Sequence, residues 1–311
     1  MLRLTSESRP TPAAPAVIRD LLVRTSRTFA LAIPLLPEPT QNALALAYLL
    51  FRVADTLEDA GHWSRDARVA ALDELVPILR HGDAARARTA SRDWVVRNAT
   101  TDPGCLDLLI AFPALLDQVS TWPAARARIV LEHAARTAEG MAQTLREADA
   151  AGHVQLADVP ALRAYCYVVA GIVGELVTAL FVYDVPELAA VKSTLVRHER
   201  AFGEGLQLVN ILKDERSDAQ DGRTYLPRGI AREEILALAR ADLGEARQYI
   251  AALEEAGSPA GFVGFTTLSV ELADRSLAAI ESRGSGAKVP RNEVLGLVAR
   301  LQEKIRSAKR R

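Results

Sequence analysis

Acidic side chains cluster where an apolar segment ends, in the stretch YLLFRVADTLED. At about 100° per residue, four of its side chains share one face of a helix and Glu58 lies at the edge of that face. These four are Tyr48, Arg52, Asp55 and Asp59. A solvated charged face is the alternative for any single Asp-x-x-x-Asp. Here residues 43–54 are almost entirely apolar, so the face is predicted to be buried, and buried acids line cavities or bind metals.

A second polar stripe follows in the stretch GEGLQLVNILKDERSD, residues 203–218, with spacings of three, four and four. Its members are Gln207, Asn210, Asp214 and Asp218. Two helices that present oxygen ligands can hold Mg²⁺ between them, and Mg²⁺ at such sites usually also binds phosphate oxygens. Charge neutralisation makes a diphosphate a better leaving group, and apolar helices below the acids would form a pocket for a hydrocarbon. The pattern predicts an enzyme that ionises a prenyl diphosphate.

The remaining chain carries helix signals almost throughout. Alanine, leucine, arginine and glutamate recur with apolar residues at three- and four-residue spacing, and runs of β-branched residues are short. Turn chemistry predicts breaks at residues 37–40, 100–104, 121–123, 157–160, 184–187, 221–229, 256–261 and 282–291. None of these breaks is long enough for a domain linker. We predict a flexible tail over residues 1–16 and one all-α domain over residues 17–311, built around a central apolar cavity.

Composition excludes several classes of protein. The formal net charge of the 311-residue chain is -1, so no general nucleic-acid-binding surface is expected. The two cysteines, Cys105 and Cys166, form neither a disulfide framework nor a zinc motif, which favours the cytoplasm. Basic residues near the C-terminus, in EKIRSAKRR, allow peripheral contact with anionic lipid. The oligomeric state stays open.

Residues 165–183, YCYVVAGIVGELVTALFVY, are about long enough to cross a bilayer. Glu175 lies near the middle of this segment, where a charge is costly in lipid, and glycines suit close helix packing in a soluble core. The segment is therefore predicted to be a buried helix.

Four blocks in order resemble the squalene and phytoene synthase family, over about residues 20–285. The blocks are SRTFALAIPLLP (26–37), YLLFRVADTLED (48–59), YCYVVAGIVG (165–174) and LQLVNILKDERSDAQDGRTYLP (206–227). The resemblance implies an isoprenoid synthase fold. It also implies a prenyltransferase that joins two prenyl diphosphates head to head through a cyclopropylcarbinyl diphosphate.

The resemblance also assigns roles to single residues. Metal ligands would be Asp55, Glu58, Asp59, Asn210, Asp214 and Asp218. Substrate would be bound by Ser26, Arg27, Phe29, Arg52, Gln207, Lys213, Arg223 and Tyr225. Catalytic groups would be Tyr48, Tyr165 and Arg52, because ring faces stabilise a developing cation and a phenol oxygen accepts a proton; released diphosphate is an equally plausible base. The alternatives are satisfied core tyrosines and, for Arg223, a solvated loop charge.

The identity of the substrate is left open by conflicting signals. DTLED resembles squalene-type sequences, whereas GRTYLP is closer to phytoene-type sequences. We expect two molecules of farnesyl diphosphate to be the substrates, with presqualene diphosphate and squalene as products. The alternatives are phytoene formation from geranylgeranyl diphosphate, an enzyme that stops at presqualene diphosphate or hydroxysqualene, and a scaffold relative without catalysis. Squalene formation requires NADPH, and Lys288 and Arg291 in GSGAKVPR (284–291) would bind its phosphates; the alternative is an ordinary loop.

Overall fold

The computed structural model describes residues 12–26, 28–308 and 310, and almost all of its regular structure is helical. Thirteen α-helices are described: α1 (Pro15–Thr25), α2 (Phe29–Ala32), α3 (Thr40–Glu58), α4 (Arg65–His81), α5 (Ala84–Val96), α6 (Pro103–Val119), α7 (Ala124–Glu147), α8 (Val159–Cys166), α9 (Ile172–Asp184), α10 (Lys192–Gln220), α11 (Arg232–Glu255), α12 (Ala260–Arg283) and α13 (Arg291–Ala308). Short 3₁₀ helices span Ile33–Leu35 and Pro186–Val191. The all-α prediction is confirmed, and the eight predicted breaks separate or bound these helices.

Side-chain caps explain why several helices begin where they do. Ser64 caps α4, Asp102 caps α6 and Asp158 caps α8, and each side chain accepts a hydrogen bond from the backbone N–H three residues later. A proline follows in the first turn of α6 and α8, where its missing N–H costs nothing. Local sequence therefore fixes the starts of α4, α6 and α8, of which α8 contributes to the cavity.

Helix α3 lies at the centre of the core. It packs against α1, α4, α6, α7 and α9, and thirteen of its nineteen residues are buried. The buried apolar residues of the described chain form one cluster that extends from Ala13 to Ile305. The last two turns of α3 carry the charged residues of the first stripe among buried apolar residues.

The apolar segment around residues 165–183 belongs to one continuous helical rod. Between α8 and α9, residues Tyr167–Gly171 form a π-helical turn. The rod Val159–Asp184 is long and apolar enough to cross a membrane, but 56% of its most apolar window is buried inside the structure. A Cβ at Gly174 or Gly203 would lie 1.9 Å from a backbone oxygen of the facing helix, so this rod packs backbone to backbone on α10. These contacts support the predicted core helix.

Two details differ from the sequence-based expectation. Residues 12–16 were assigned to the tail, but α1 begins at Pro15 and the Ala13 N–H donates to the Ala114 carbonyl at 3.1 Å. This part of the tail prediction is wrong, because Ala13 is buried against α6; residues 1–11 lie outside the described part of the chain. The second difference is a parallel pair of two-residue strands, β1 (Val154–Gln155) and β2 (Arg223–Thr224).

Candidate active site

A cavity of about 400 Å³ opens between α3, α7, the rod of α8 and α9, and α10. Its deep part is apolar and its mouth carries the acids of both stripes. The predicted site residues among its lining are Phe29, Tyr48, Arg52, Asp55, Glu58, Asp59, Tyr165, Gln207, Asn210, Asp214, Asp218, Arg223 and Tyr225. The structure therefore brings together residues from all four sequence blocks.

The first stripe occupies the C-terminal end of α3. Arg52 forms an ion pair with Asp55, with 3.5 Å between Nη1 and Oδ2, and its Nη2 contacts the Cys105 sulfur at 3.7 Å. Glu58 and Asp59 follow in the last turn, next to Asp55. Arg52 thus neutralises Asp55, which reduces the repulsion between Asp55 and the two acids that follow it.

Burial perturbs the acids of this stripe. Asp55 is 36% exposed, but that exposure is to the cavity, and burial raises its pKa to about 6 although Arg52 opposes the shift. Burial raises the pKa of Glu58 well above its ordinary value, and the charges of Asp59 and Asp55 add to this effect. Binding of a divalent cation to these buried, mutually repelling carboxylates is favourable, because the cation neutralises their charge.

The second stripe lies on α10 across the cavity. Lys213 donates to the Asn210 side-chain oxygen at 3.0 Å and pairs with Asp214 at 3.2 Å, but it does not line the cavity itself. Asp218 lies one turn further along, and burial raises its pKa. Lys213 therefore neutralises this stripe much as Arg52 does the first.

Arg223 connects the two stripes. Its Nη1 makes an ion pair with Asp59, and its Nη2 lies 3.9 Å from Asp218 and 3.1 Å from Asp221. The residue stands on β2, whose pairing with β1 fixes the backbone beside the cavity mouth. A guanidinium between opposed acids is a natural phosphate anchor when metal ions bind the acids.

Three tyrosines line the cavity below the acids. The rings of Tyr165 and Tyr225 stack with centroids 4.4 Å apart, and burial raises the pKa of both phenols. Tyr48 donates to the Thr25 carbonyl at 2.8 Å, and its ring lies 5.4 Å from that of Phe29. Neutral aromatic rings in an apolar cavity can stabilise a cation through their faces.

Several predicted residues lie elsewhere. The Ser26 hydroxyl accepts from the Phe29 N–H at 3.0 Å and is not part of the cavity lining, while Arg27 lies outside the described residues. Lys288 and Arg291 are exposed and do not line the cavity. The loop that carries them is nevertheless attached to the second stripe, because the Gly286 N–H donates to the Lys213 carbonyl at 2.7 Å.

Glu175 faces neighbouring helices instead of the cavity. It accepts hydrogen bonds from Arg136 of α7, at 2.7 Å, and from Arg200 of α10, at 3.0 Å. The Tyr167 hydroxyl donates to the same carboxylate at 3.1 Å. The charge within the apolar segment is therefore paired, and it ties the π-helical turn to two adjacent helices.

The apolar floor of the cavity was missed by sequence reasoning. It includes Ile33, Leu44, Val177 and Phe265, each from a different element. Apolar periodicity marks these residues as core, but no sequence signal separates a core residue that faces a cavity from one that faces another helix.

The arrangement of acids suits Mg²⁺ bound together with a phosphate ligand. Among the described residues, no three His, Cys, Asp or Glu side chains form a group that could hold one metal ion by themselves. The acids form two separate stripes instead. Mg²⁺ keeps several waters and binds through one or two carboxylates plus phosphate oxygens, so an open pair of stripes fits this ion.

Comparison with known proteins identifies the family. Residues 22–236 match the family model for squalene/phytoene synthase. Squalene synthases from Schizosaccharomyces pombe and Eremothecium gossypii are 28% and 29% identical over 214 and 222 residues, in each case 68% of this chain. These alignments cover 44% and 45% of the relatives, so the chain spans about half the length of the curated relatives it matches.

The solved structure of TcSQS in complex with a ligand shares the fold. It superposes with a TM-score of 0.72 at 19% identity, covering 93% of this chain and 87% of that chain. This agreement confirms the isoprenoid synthase fold predicted from the four blocks. The family model covers well over half of the chain and includes both acidic stripes. The protein belongs to the squalene/phytoene synthase family.

Proposed function

We propose that the protein is a prenyltransferase that condenses two prenyl diphosphates head to head in a Mg²⁺-dependent reaction. The observation that carries the proposal is the pair of acidic stripes at the mouth of an apolar cavity, connected by Arg223. The acids would hold Mg²⁺, which supplies Lewis-acid assistance to departure of the diphosphate when it is bound. The apolar cavity would enclose the hydrocarbon chains and exclude water.

The residues of the chain take distinct roles in this proposal. Arg52 and Arg223 bind diphosphate oxygens at the mouth, where each already lies beside a carboxylate. Gln207 completes the polar wall on α10, while Lys213 lies outside the cavity lining and neutralises Asp214. The rings of Tyr48 and Tyr165 face the allylic cation. Because burial raises the pKa of both phenols, they stay neutral, and released diphosphate is the stronger base for the proton lost on cyclopropane closure.

Farnesyl diphosphate is the substrate we propose, with presqualene diphosphate and then squalene as products. One observation supports the shorter chain. The matched relatives from fungi are squalene synthases. Phytoene-type condensation of geranylgeranyl diphosphate is the second candidate, favoured by the GRTYLP ending of the fourth block.

The decisive test is incubation with each prenyl diphosphate and Mg²⁺, with and without NADPH, followed by product identification. Squalene formed only with NADPH supports the first proposal, and phytoene supports the second. A stable cyclopropyl diphosphate or hydroxysqualene would identify an enzyme that stops early. No turnover with either substrate would contradict the proposal and favour a scaffold role.

NADPH binding by Lys288 and Arg291 is also proposed. The support is positional, because the Ser285 hydroxyl and the Gly286 N–H both bind the Lys213 carbonyl and so place this loop behind the second stripe. Lys288→Ala with Arg291→Ala should leave presqualene diphosphate formation unchanged and raise the NADPH concentration needed for squalene by about tenfold or more. An unchanged NADPH dependence would exclude these two residues. A cytoplasmic location, with peripheral lipid contact through the basic C-terminus, remains our proposal.

A further inference from the structure

Arg68, in the first turn of α4, lies outside every motif that marks the site, yet it contacts two segments that build the site. Its Nη1 donates to the Glu58 carbonyl at 3.1 Å, and its Nη2 donates to the Gly152 carbonyl at 3.2 Å. The guanidinium does not line the cavity. It is therefore placed to act on the site through other residues.

The first contact holds the end of the first stripe. Glu58 is the last residue of α3, and its carbonyl is one of the four that a helix leaves without an intrahelical partner. A cation at this end also interacts favourably with the helix dipole. Arg68 thus fixes the turn of backbone that carries Glu58 and Asp59.

The second contact holds the turn before β1. Gly152 has a φ of +81°, and a Cβ there would lie 1.8 Å from Nη2 of Arg68, so the guanidinium packs directly against the glycine backbone. Asp149 closes this turn by accepting from the His153 N–H at 2.9 Å. These hydrogen bonds hold the backbone of the turn against the guanidinium.

The same turn leads directly to Arg223. β1 pairs in parallel with β2, so that Val154 is the partner of Arg223 and Gln155 the partner of Thr224. The Leu156 N–H also donates to the Thr224 carbonyl at 3.2 Å. Arg68 therefore connects the end of α3, which precedes Asp59, through the turn and β1 to β2, which carries Arg223, the ion-pair partner of Asp59.

We propose that Arg68 is a positioning residue that holds the first acidic stripe and Arg223 in their relative places. The inference rests on the proposed function for its effect on ligand binding. Its geometric part concerns the metal-free protein alone. Two readouts separate these parts: amide hydrogen exchange without ligand, and calorimetric titration with inorganic diphosphate in the presence of Mg²⁺.

The variants are Arg68→Met, Arg68→Lys and the control Arg65→Met. Arg65 stands three residues earlier on α4 and donates to the Ala148 carbonyl at 3.2 Å, and within the described part of the chain its guanidinium makes no hydrogen bond to Glu58. Arg68→Met should speed exchange at residues 154–156 and 222–225 and weaken diphosphate binding about tenfold or more, as expected for loss of charge-assisted hydrogen bonds. For Arg68→Lys, the exchange rates and the diphosphate affinity should lie between those of the wild-type protein and Arg68→Met, because an ammonium group cannot make both hydrogen bonds of the planar guanidinium.

Wild-type exchange and wild-type affinity in Arg68→Met would overturn the proposal, and so would equal effects of Arg65→Met. If Arg68→Met does not fold, Arg68→Lys decides by the same criteria. If the wild-type protein binds no diphosphate with Mg²⁺, the proposed function fails. The exchange data then decide the geometric role of Arg68 alone.

Discussion

The guanidinium of Arg223 forms an ion pair with the carboxylate of Asp59, although the two residues are 164 positions apart in the chain. Arg223 stands on β2, while Asp59 follows the last turn of α3. The pair crosses the mouth of the cavity. Binding of Mg²⁺ by the acids would release the guanidinium to bind diphosphate oxygens. Arg223 would therefore pair with the acids in the empty site and with the diphosphate in the liganded site.

Replacing Arg223 should therefore weaken substrate binding more than it alters the fold. We expect Arg223→Gln to raise the Kd for diphosphate with Mg²⁺ by about ten- to a hundredfold, the equivalent of one charge-assisted hydrogen bond. Calorimetric titration measures the effect. Arg228→Gln, at an exposed position of the same loop, is the control and should bind normally. Equal affinities for the two variants would show that Arg223 is not a phosphate anchor.

Helical periodicity was sufficient to predict both stripes. Asp55 and Asp59 share a face because they are one turn apart, and the same rule places Asp214 beside Asp218; the structure confirms this by placing all four at one cavity. Such predictions succeed because they depend only on spacing within one helix.

Contacts between distant segments could not be predicted in this way. The partners of Glu175 come from α7 and α10, and Arg68 contacts Gly152, 84 positions away. β1 and β2 are two residues each, too short for an alternating pattern, and their pairing depends on where the surrounding helices end. These features arise from tertiary packing, which leaves no periodic signal in the sequence.

Stabilisation by Mg²⁺ should depend on pH. Burial raises the pKa of Asp55 from 3.8 to about 6, so the folded state binds more protons than the unfolded state between these values. The free energy of unfolding of the metal-free protein should therefore fall as pH rises through this window. Mg²⁺ competes with the proton, so it should raise Tm more at about pH 7.5 than at about pH 5.

Two variants sharpen this test. Asp55→Asn should raise the metal-free Tm at neutral pH, because it removes a charge whose folded-state pKa is raised, and it should abolish turnover. Glu303→Gln, at an exposed position on α13, should change neither quantity. An Mg²⁺ effect on Tm of the same size at both pH values would contradict the proposed role of Asp55.

Phe265 should help to set the chain length of the substrate. It is buried on α12 and lines the floor of the cavity, whereas Phe262 is equally buried on the same helix and stacks on Phe181 away from the cavity. Phe265→Leu should deepen the cavity and raise the kcat/KM for geranylgeranyl relative to farnesyl diphosphate by about tenfold.

Phe262→Leu is the matched control, since it should cost comparable stability without this change in selectivity. Each variant should lose less free energy of unfolding than Phe→Ala in a core, which typically costs about 3–5 kcal/mol. Thermal unfolding and competition between the two substrates measure the two effects. A similar shift in selectivity for both variants would show that general loosening of the core, and not the cavity floor, controls the choice.

Glu175 should matter for stability and not for the reaction. Its carboxylate is 15% exposed, and burial would raise its pKa, but the hydrogen bonds and charges of Arg136 and Arg200, together with the Tyr167 hydroxyl, leave the pKa lowered. Glu175→Gln leaves two partly exposed guanidinium groups without their carboxylate, which should cost about 1 kcal/mol at neutral pH because solvent screens both groups. Glu187→Gln, at an exposed position, is the control.

The pH dependence has a definite sign. Because the folded-state pKa of Glu175 is lowered from 4.5, its contribution is present above that value and is lost as pH falls through the folded-state pKa. The wild-type protein and Glu175→Gln should therefore differ in urea midpoint at neutral pH and converge in acid. Turnover of the folded variant should be unchanged, since Glu175 does not line the cavity. A stable variant that loses turnover would place Glu175 in the reaction instead.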